Sequence, residues 1–379
     1  ELSDEEKQGI YPPRMYDIES SGFVPRNQLK IMRATEAAYA QKYSLRDTLP
    51  EKNLRIKNQK LTNMCWTFAS LSSLETNLAL SDYFNHRAVQ EYDFSERHME
   101  YATVRELGGG TNIFGFNRKI DGGARGLNKF DISYLTNGMG AINESDMPFE
   151  MDMSMQPLSY IQGKETQTQV YDLIEFPSKK TEELMNKMKN HIKNYGSINV
   201  NIHGAQPNQE YVISNGKKYY CYNNQTGAIY CHDSSIFPNN HAVSIIGWDD
   251  EFPIEKFNEN NRPRIPGAWI IRNSWGTGIY EYEEMRKYMF EVFTQTAEGQ
   301  EALKQNNLVW TSPSDVPNEL LDKWATENGY TKRDDNTFYS KIGDEGIMYV
   351  SYDDCNIYSY MTGVMKAIFL IKIMIKVYG

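Results

Sequence analysis

The chain has 379 residues, 40% hydrophobic and 24% charged, with 50 acidic against 40 basic side chains and a formal charge of -10. This is globular composition, long enough for one large domain or two smaller ones, and it excludes disorder as the general state. No Lys/Arg cluster gathers that would meet phosphate oxygens along a groove, so nucleic acid is not an expected partner.

Residues 1 to about 42 open acidic with Asp4, Glu5 and Glu6, pass through Pro12-Pro13 and end in a weakly helical stretch from Met32 to Ala40. Such a segment has too little apolar material for a core. From Cys65 a helix is expected, because Leu71, Leu74 and Leu78 fall on one face while Ser72, Ser73 and Asn77 point elsewhere. Glycine-rich pieces follow at Gly108 to Gly110 and at Gly122-Gly123, then a short helical pattern from Asn128 to Leu135. The first half therefore reads as helical with long loops.

The second half reads as sheet. Tyr219 to Tyr222 and Ala228 to Cys231, joined by Asn223 to Gly227, carry a hairpin signal, and Cys221 and Cys231 fall where the hairpin would bring them together. Ala242 to Trp248, Gly267 to Ile271 and Gly346 to Tyr352 are short runs of buried-strand type. Between the last two, around Glu283 to Lys287 and Asn318 to Trp324, helix-period charges point to an inserted helical pair. The most apolar run, Ala367 to Val377, is broken by Lys372 and Lys376, short of the ~18 residues a membrane helix needs, and reads as an edge strand. Because the first residue is Glu1, the lack of a recognisable targeting segment carries no information.

Chemistry concentrates at three places. Cys65 opens a helix, where unpaired N–H groups and the positive dipole end favour a thiolate. A thiolate nucleophile needs an imidazole to pair with it and to protonate the leaving amine, and a third group to orient that imidazole. Of the six histidines, His241 opens a buried strand, whereas His86, His98, His191, His203 and His232 sit in polar or helical surroundings and read as surface residues. Asn273, in Asn273-Ser274-Trp275-Gly276 after the next strand, offers an amide for the second ring nitrogen and an indole to shield the bond.

Together these pieces resemble the papain-like cysteine peptidases. Gln59 precedes Cys65-Trp66 by six positions, His241-Ala242 opens a strand ending in Gly247-Trp248, and Asn273-Ser274-Trp275-Gly276, Ser95-Glu96 and Gly122-Gly123 match further motifs of that family. The resemblance implies an α+β, two-lobed papain-like fold, with a helical lobe, an antiparallel β-barrel-like lobe and a helical insertion. It implies Cys65 as nucleophile, His241 as acid and base, Asn273 as orienter, and Gln59 with the Cys65 N–H as oxyanion hole. Gly122, Gly123, Ala242 and Trp275 would meet substrate, and Glu75 matches a carboxylate that the family buries. The implied activity is peptide-bond hydrolysis on protein or peptide substrates through an acyl-enzyme, without metal or cofactor, with Cys65 and His241 titrating as a thiolate and imidazolium pair. The Ser44-Leu45-Arg46-Asp47 start and the Tyr349 to Asp354 ending look most like bacterial secreted members, which implies an extracellular or cell-surface location and a Cys221–Cys231 disulfide.

The departures matter as well. Thr62-Asn63-Met64-Cys65-Trp66 lacks the family's first cysteine, so the loop before the nucleophile must be held without a disulfide. His241 and Asn273 lie 176 and 208 residues after Cys65, beyond the ~130 to 150 of compact members. The expected organisation is a leader or inhibitory prosegment over 1–42, cut near Ala40 to Ser44, a peptidase domain over 43–277 and 343–365, the insertion over 278–342 as a lid, and a tail over 366–379. The rival readings are a catalytically inactive papain-like binding protein and a metal module of Cys221, Cys231, His232 and His241, whose spacing lacks paired Cys-x-x-Cys geometry.

Overall fold

The computed structural model describes residues 39–60, 62–121, 129–204, 210–295, 297–327, 330–333, 337–339 and 346–370, apart from a few side chains within them. The leader before residue 39, Gly122, Gly123, the Val292 side chain, Gly343 and the tail beyond 370 lie outside the described residues.

A nine-stranded sheet organises the body. Its strands run in the spatial order Thr168–Glu175, Met361–Phe369, Ile198–Ile202, His241–Asp249, Ala268–Arg272, Ile347–Ser351, Ala228–Ile229, Tyr222–Asn223, and Lys42–Ser44 pairs with His241–Asp249 off this path. All neighbours are antiparallel except Ile347–Ser351 with Ala228–Ile229. His241–Asp249 is buried along nearly its whole length because Ile198–Ile202 and Ala268–Arg272 pair with its edges and helices Cys65–Phe84 and Glu182–Tyr195 pack on it, so a near-continuous apolar run suits it better than alternation. Helix Cys65–Phe84 packs on this sheet, chiefly against Met361–Phe369, His241–Asp249 and Ile198–Ile202. With helices Glu96–Ala102 and Phe130–Thr136 it forms the helical side.

Several expectations are corrected. Ser72, Ser73 and Asn77 are buried like the leucines: Ser73 Oγ donates to the Ser197 carbonyl at 2.8 Å and Asn77 Nδ2 to the Tyr195 carbonyl at 2.8 Å. The central helix is covered on all sides, and short polar side chains are admitted there because each finds a hydrogen-bond partner, Ser72 in the Ser197 hydroxyl at 3.0 Å. His98, His191 and His203 are also buried rather than superficial; His98 Nδ1 meets the Tyr134 hydroxyl at 2.8 Å, and His191 sits between Phe176 and Tyr195 with neither ring nitrogen bonded. Residues 366–369 are not tail. They continue strand Met361–Phe369, in register with Thr168–Glu175 as far as Phe369 opposite Thr168.

Cys221 and Cys231 are free thiols, one hydrogen-bonded to the other, not a disulfide. Tyr222 faces Ile229, which sets Cys221 opposite Tyr230, whose N–H donates to the Cys221 carbonyl at 2.8 Å. Cys231 instead receives its constraints from the Asp354 carboxylate and the Cys355 N–H.

The insertion is more than a helical pair. Helices Tyr282–Gln295, Ala297–Gln305 and Asn318–Glu327 pack with a three-stranded sheet of Ile279–Glu281, Thr337–Tyr339 and Thr331–Lys332. Met285, Met289, Leu303, Trp310, Val316, Leu321, Ala325 and Phe338 form a core separate from that of the body. The body residues that flank it meet: a Cβ on Gly346, at φ +87°, would lie 2.9 Å from the Gly276 carbonyl oxygen.

Candidate active site

Cys65 occupies the first turn of its helix, and the buried Met64 before it turns the chain in. The loop that delivers it is tied down by hydrogen bonds in place of the missing disulfide. Gln59 N–H donates to the Ser274 carbonyl at 2.7 Å, Gly276 N–H to the Lys57 carbonyl at 3.0 Å, and Thr62 Oγ1 to the Gln59 carbonyl at 2.7 Å. On its far side Asn63 N–H donates to Asp121 Oδ1 at 2.5 Å, and Asp121 N–H to the buried Glu100 carboxylate at 2.7 Å, which also holds Arg118. Asp121, Glu100 and Arg118 do not stand out in the sequence, because a hydrogen bond across 58 residues leaves no mark in local pattern.

Opposite the helix end, His241 begins its strand with Nε2 2.7 Å from Asn273 Oδ1. The Ser274 N–H donates to the same Oδ1 at 2.8 Å, which marks that atom as the acceptor. Nε2 therefore carries the proton in the neutral ring, and Nδ1 is left bare. Trp275 stacks on the imidazole, ring centroids 4.4 Å apart and 22° from coplanar, and both His241 and Asn273 are buried.

The electrostatics run against the expected ion pair. Burial pushes the Cys65 thiol up, against hydrogen bonding from the backbone of Ala242 and Trp66, and burial pulls His241 down to about 4, against its bond to Asn273. Desolvation favours the uncharged form of each group, and one proton moving from sulfur to Nδ1 creates the charged pair.

The Gln59 amide is buried, its Oε1 accepting from Ser274 Oγ at 2.7 Å and its Nε2 donating to the Thr62 carbonyl at 2.7 Å. An amide nitrogen carries two hydrogens, so a second N–H remains for an oxyanion. Ala242 is buried beside the thiol.

Behind the site lies a buried charge cluster. Lys57 Nζ sits 2.8 Å from Glu75, 2.8 Å from Glu96 and 2.7 Å from Asp93, and Arg272, next to Asn273, reaches Glu75 at 3.4 Å. Burial works against the Lys57 ammonium, but Glu75, Glu96 and Asp93 outweigh it and hold its pKa above the ordinary range. Burial lifts Glu96 to about 7 despite Lys57. The cluster joins the oxyanion loop, the nucleophile helix and the strand before Asn273, and it settles Glu75 as a buried residue.

A family model described as the papain family cysteine protease matches residues 40–290, more than half of the 379. The chain belongs to the papain family of cysteine proteases. A viral cathepsin of Epiphyas postvittana nucleopolyhedrovirus is 25% identical over 229 residues, 59% of this chain and 52% of that protein. Among solved structures, the clostridial cysteine protease Cwp84 after propeptide cleavage superposes with TM-score 0.55 at 22% identity, covering 88% of this chain and 59% of that one. The cysteine protease and lectin-like domains of Cwp84, described as a surface layer associated protein of Clostridium difficile, give 0.57 at 22% identity over 88% and 53%. These structures share the two-lobed α+β fold, and the chain spans little more than half the length of each of these relatives. Among the described residues no helix is long and apolar enough to cross a membrane.

Proposed function

We propose that the chain is a cysteine endopeptidase that cleaves protein or peptide substrates through an acyl-enzyme formed on Cys65. The observation that carries this reading is the His241–Asn273 bond under Trp275, held at the end of the helix that Cys65 opens. The bare Nδ1 takes the thiol proton, the sulfur attacks the scissile carbonyl, and the oxyanion meets the Gln59 amide and the Cys65 N–H. The imidazolium then protonates the leaving amine, and a water activated by the same ring releases the acyl group. Asn273 keeps the ring in the tautomer that makes this possible, and Trp275 keeps water from that bond. None of the four residues is lost, which speaks against an inactive binding protein.

The surface-layer association in the description of one clostridial neighbour supports a bacterial secreted or cell-surface location, although the unbonded Cys221 and Cys231 remove one argument for it. Residues 1 to about 42 serve as a prosegment in this reading. Processing within Lys42–Ser44 is disfavoured because those residues pair with Asp249, Trp248 and Gly247, so the cut falls before Lys42.

The test is irreversible labelling with an epoxide inhibitor, with peptide-library cleavage read by mass spectrometry. One equivalent on Cys65 is expected, and Cys65→Ala should lose turnover to background with an unchanged circular dichroism spectrum. An alanine variant that cleaves at the original rate sinks the assignment.

A further inference from the structure

The insertion touches the site at two points. The Tyr280 hydroxyl donates to the Trp275 carbonyl at 3.2 Å, and Glu284 forms an ion pair with Lys60, the residue after Gln59. Lys60 is itself fixed. Its backbone is left-handed at φ +54° and its N–H donates to Asn58 Oδ1 at 2.9 Å, while Asn58 bridges to Trp275. The first strand and helix of the insertion are thus joined to the Trp275 carbonyl and to the side chain of the residue that follows Gln59. Behind the clamp stands a unit with its own core, from Tyr280 to Phe338.

The proton transfer fixes where this unit lies relative to substrate. His241 must reach the leaving nitrogen to protonate it, so the residues after the scissile bond start beside the imidazole. Trp275 covers that ring, and the insertion is bonded to Trp275. The insertion is thereby anchored next to the residue that covers the imidazole, on the side where the leaving half of a substrate must start.

Resting on the peptidase reading, we propose that the insertion is a fixed wall of the cleft beyond the scissile bond, latched by the Glu284–Lys60 ion pair, and that it makes the enzyme discriminate peptides by the residues on the leaving side of the cleaved bond. Glu284 and Lys60 are positioning residues: they touch no reacting atom and set where the wall stands. A fixed wall offers extended peptides a preformed surface and saves the cost of ordering one at each encounter.

The experiment compares two substrates with the same residues before the scissile bond: an aminomethylcoumarin amide, and an internally quenched peptide with four residues after the bond. In Glu284→Lys, KM for the extended peptide should rise about threefold to fivefold, the range a partly exposed ion pair can supply, with a clearly smaller change for the coumarin amide. Adding Lys60→Glu restores the pair with reversed charges and should recover the extended-peptide KM. Equal changes for both substrates, or no recovery in the double variant, overturn the proposal. Fluorescence anisotropy of the extended and truncated peptides on Cys65→Ala, with and without Glu284→Lys, reads the same discrimination without turnover, and identical affinity losses for both lengths also overturn it. A wild-type chain that cleaves neither substrate and resists the epoxide sinks the peptidase reading, while the anisotropy arm still decides the wall.

Discussion

In the body of the molecule one core runs from Leu45 to Val364, joining the central helix to the nine-stranded sheet, whereas the insertion packs Tyr280 to Phe338 around a separate core and returns to its point of departure. The body holds every candidate catalytic group through long-range contacts: Gln59 to Ser274, His241 to Asn273, Lys57 to Glu75 and Glu96. The insertion meets that machinery through Tyr280 and Glu284. A unit with its own hydrophobic core can be added at the rim of an active site with little effect on the catalytic geometry, because joining its ends costs little once they already touch. What the addition can alter is the shape of the cleft.

That contrast can be broken experimentally. The largest effect is expected from Lys57→Met, which leaves Glu96 without its cation and Glu75 with only Arg272 in a buried space. Global stability should fall by about 3–5 kcal/mol, read by chemical denaturation, and a loss under 1 kcal/mol would mean the cluster is dispensable. Trp310→Ala should cost about 3 kcal/mol, but only within the insertion. Hydrogen exchange should quicken across Tyr282–Gln295 and Asn318–Glu327 and stay slow in His241–Asp249; uniform quickening would show that the two cores unfold as one. Gln59→Ala should lower kcat by about 10²-fold with either substrate length, in contrast to the length-dependent effect of Glu284→Lys, and an unchanged kcat would assign the oxyanion to another donor.

The smallest effect is one of pH. Burial lowers His98 to about 4 and His191 to about 3, below the ~6.5 of an unfolded histidine. As pH falls below about 6.5 the unfolded chain takes up protons that the folded chain refuses, so stability declines by up to about 1.4 kcal/mol per pH unit for each such histidine. Removing one of them in His191→Leu should flatten the slope of stability between pH 6.5 and 4.5 by that amount. Peptidase activity should persist below this onset and fall as pH drops through about 4, where His241 gains its proton. An unaltered slope in the variant would mean that the His191 proton affinity is the same in both states.

Strands His241–Asp249, Ala268–Arg272 and Ile347–Ser351 are legible in the sequence to within a residue or two because each is a short apolar run bounded by glycine or a polar turn, and helix Cys65–Phe84 because its leucines recur at helical spacing. Lys42–Ser44, Thr168–Glu175, Ile198–Ile202 and the start of Met361–Phe369 are not, because polar residues interrupt them or they are too short. Three catalytic candidates are legible because their chemistry demands particular side chains in particular local settings: a cysteine at a helix start, a histidine opening a buried strand, an asparagine before a serine and a tryptophan. Gln59 is legible only through the resemblance to the papain-like peptidases. The insertion's sheet is not legible, because Ile279–Glu281 and Thr331–Lys332 are too short for any period to show.

Local pattern determines which face a segment wants to hide; the burial of His191, the polar side of the central helix and the offset of Cys221 from Cys231 depend on which other segment arrives there. The same holds at the site. The sequence by itself determined the residues that could perform the chemistry and the elements that carry them. Only the tertiary structure decided the desolvation of Cys65 and His241, the grip of Asp121 and Glu100 on the loop before the nucleophile, and the docking of the insertion on Lys60. Desolvation and hydrogen bonds between residues far apart in the chain are properties of the assembled fold.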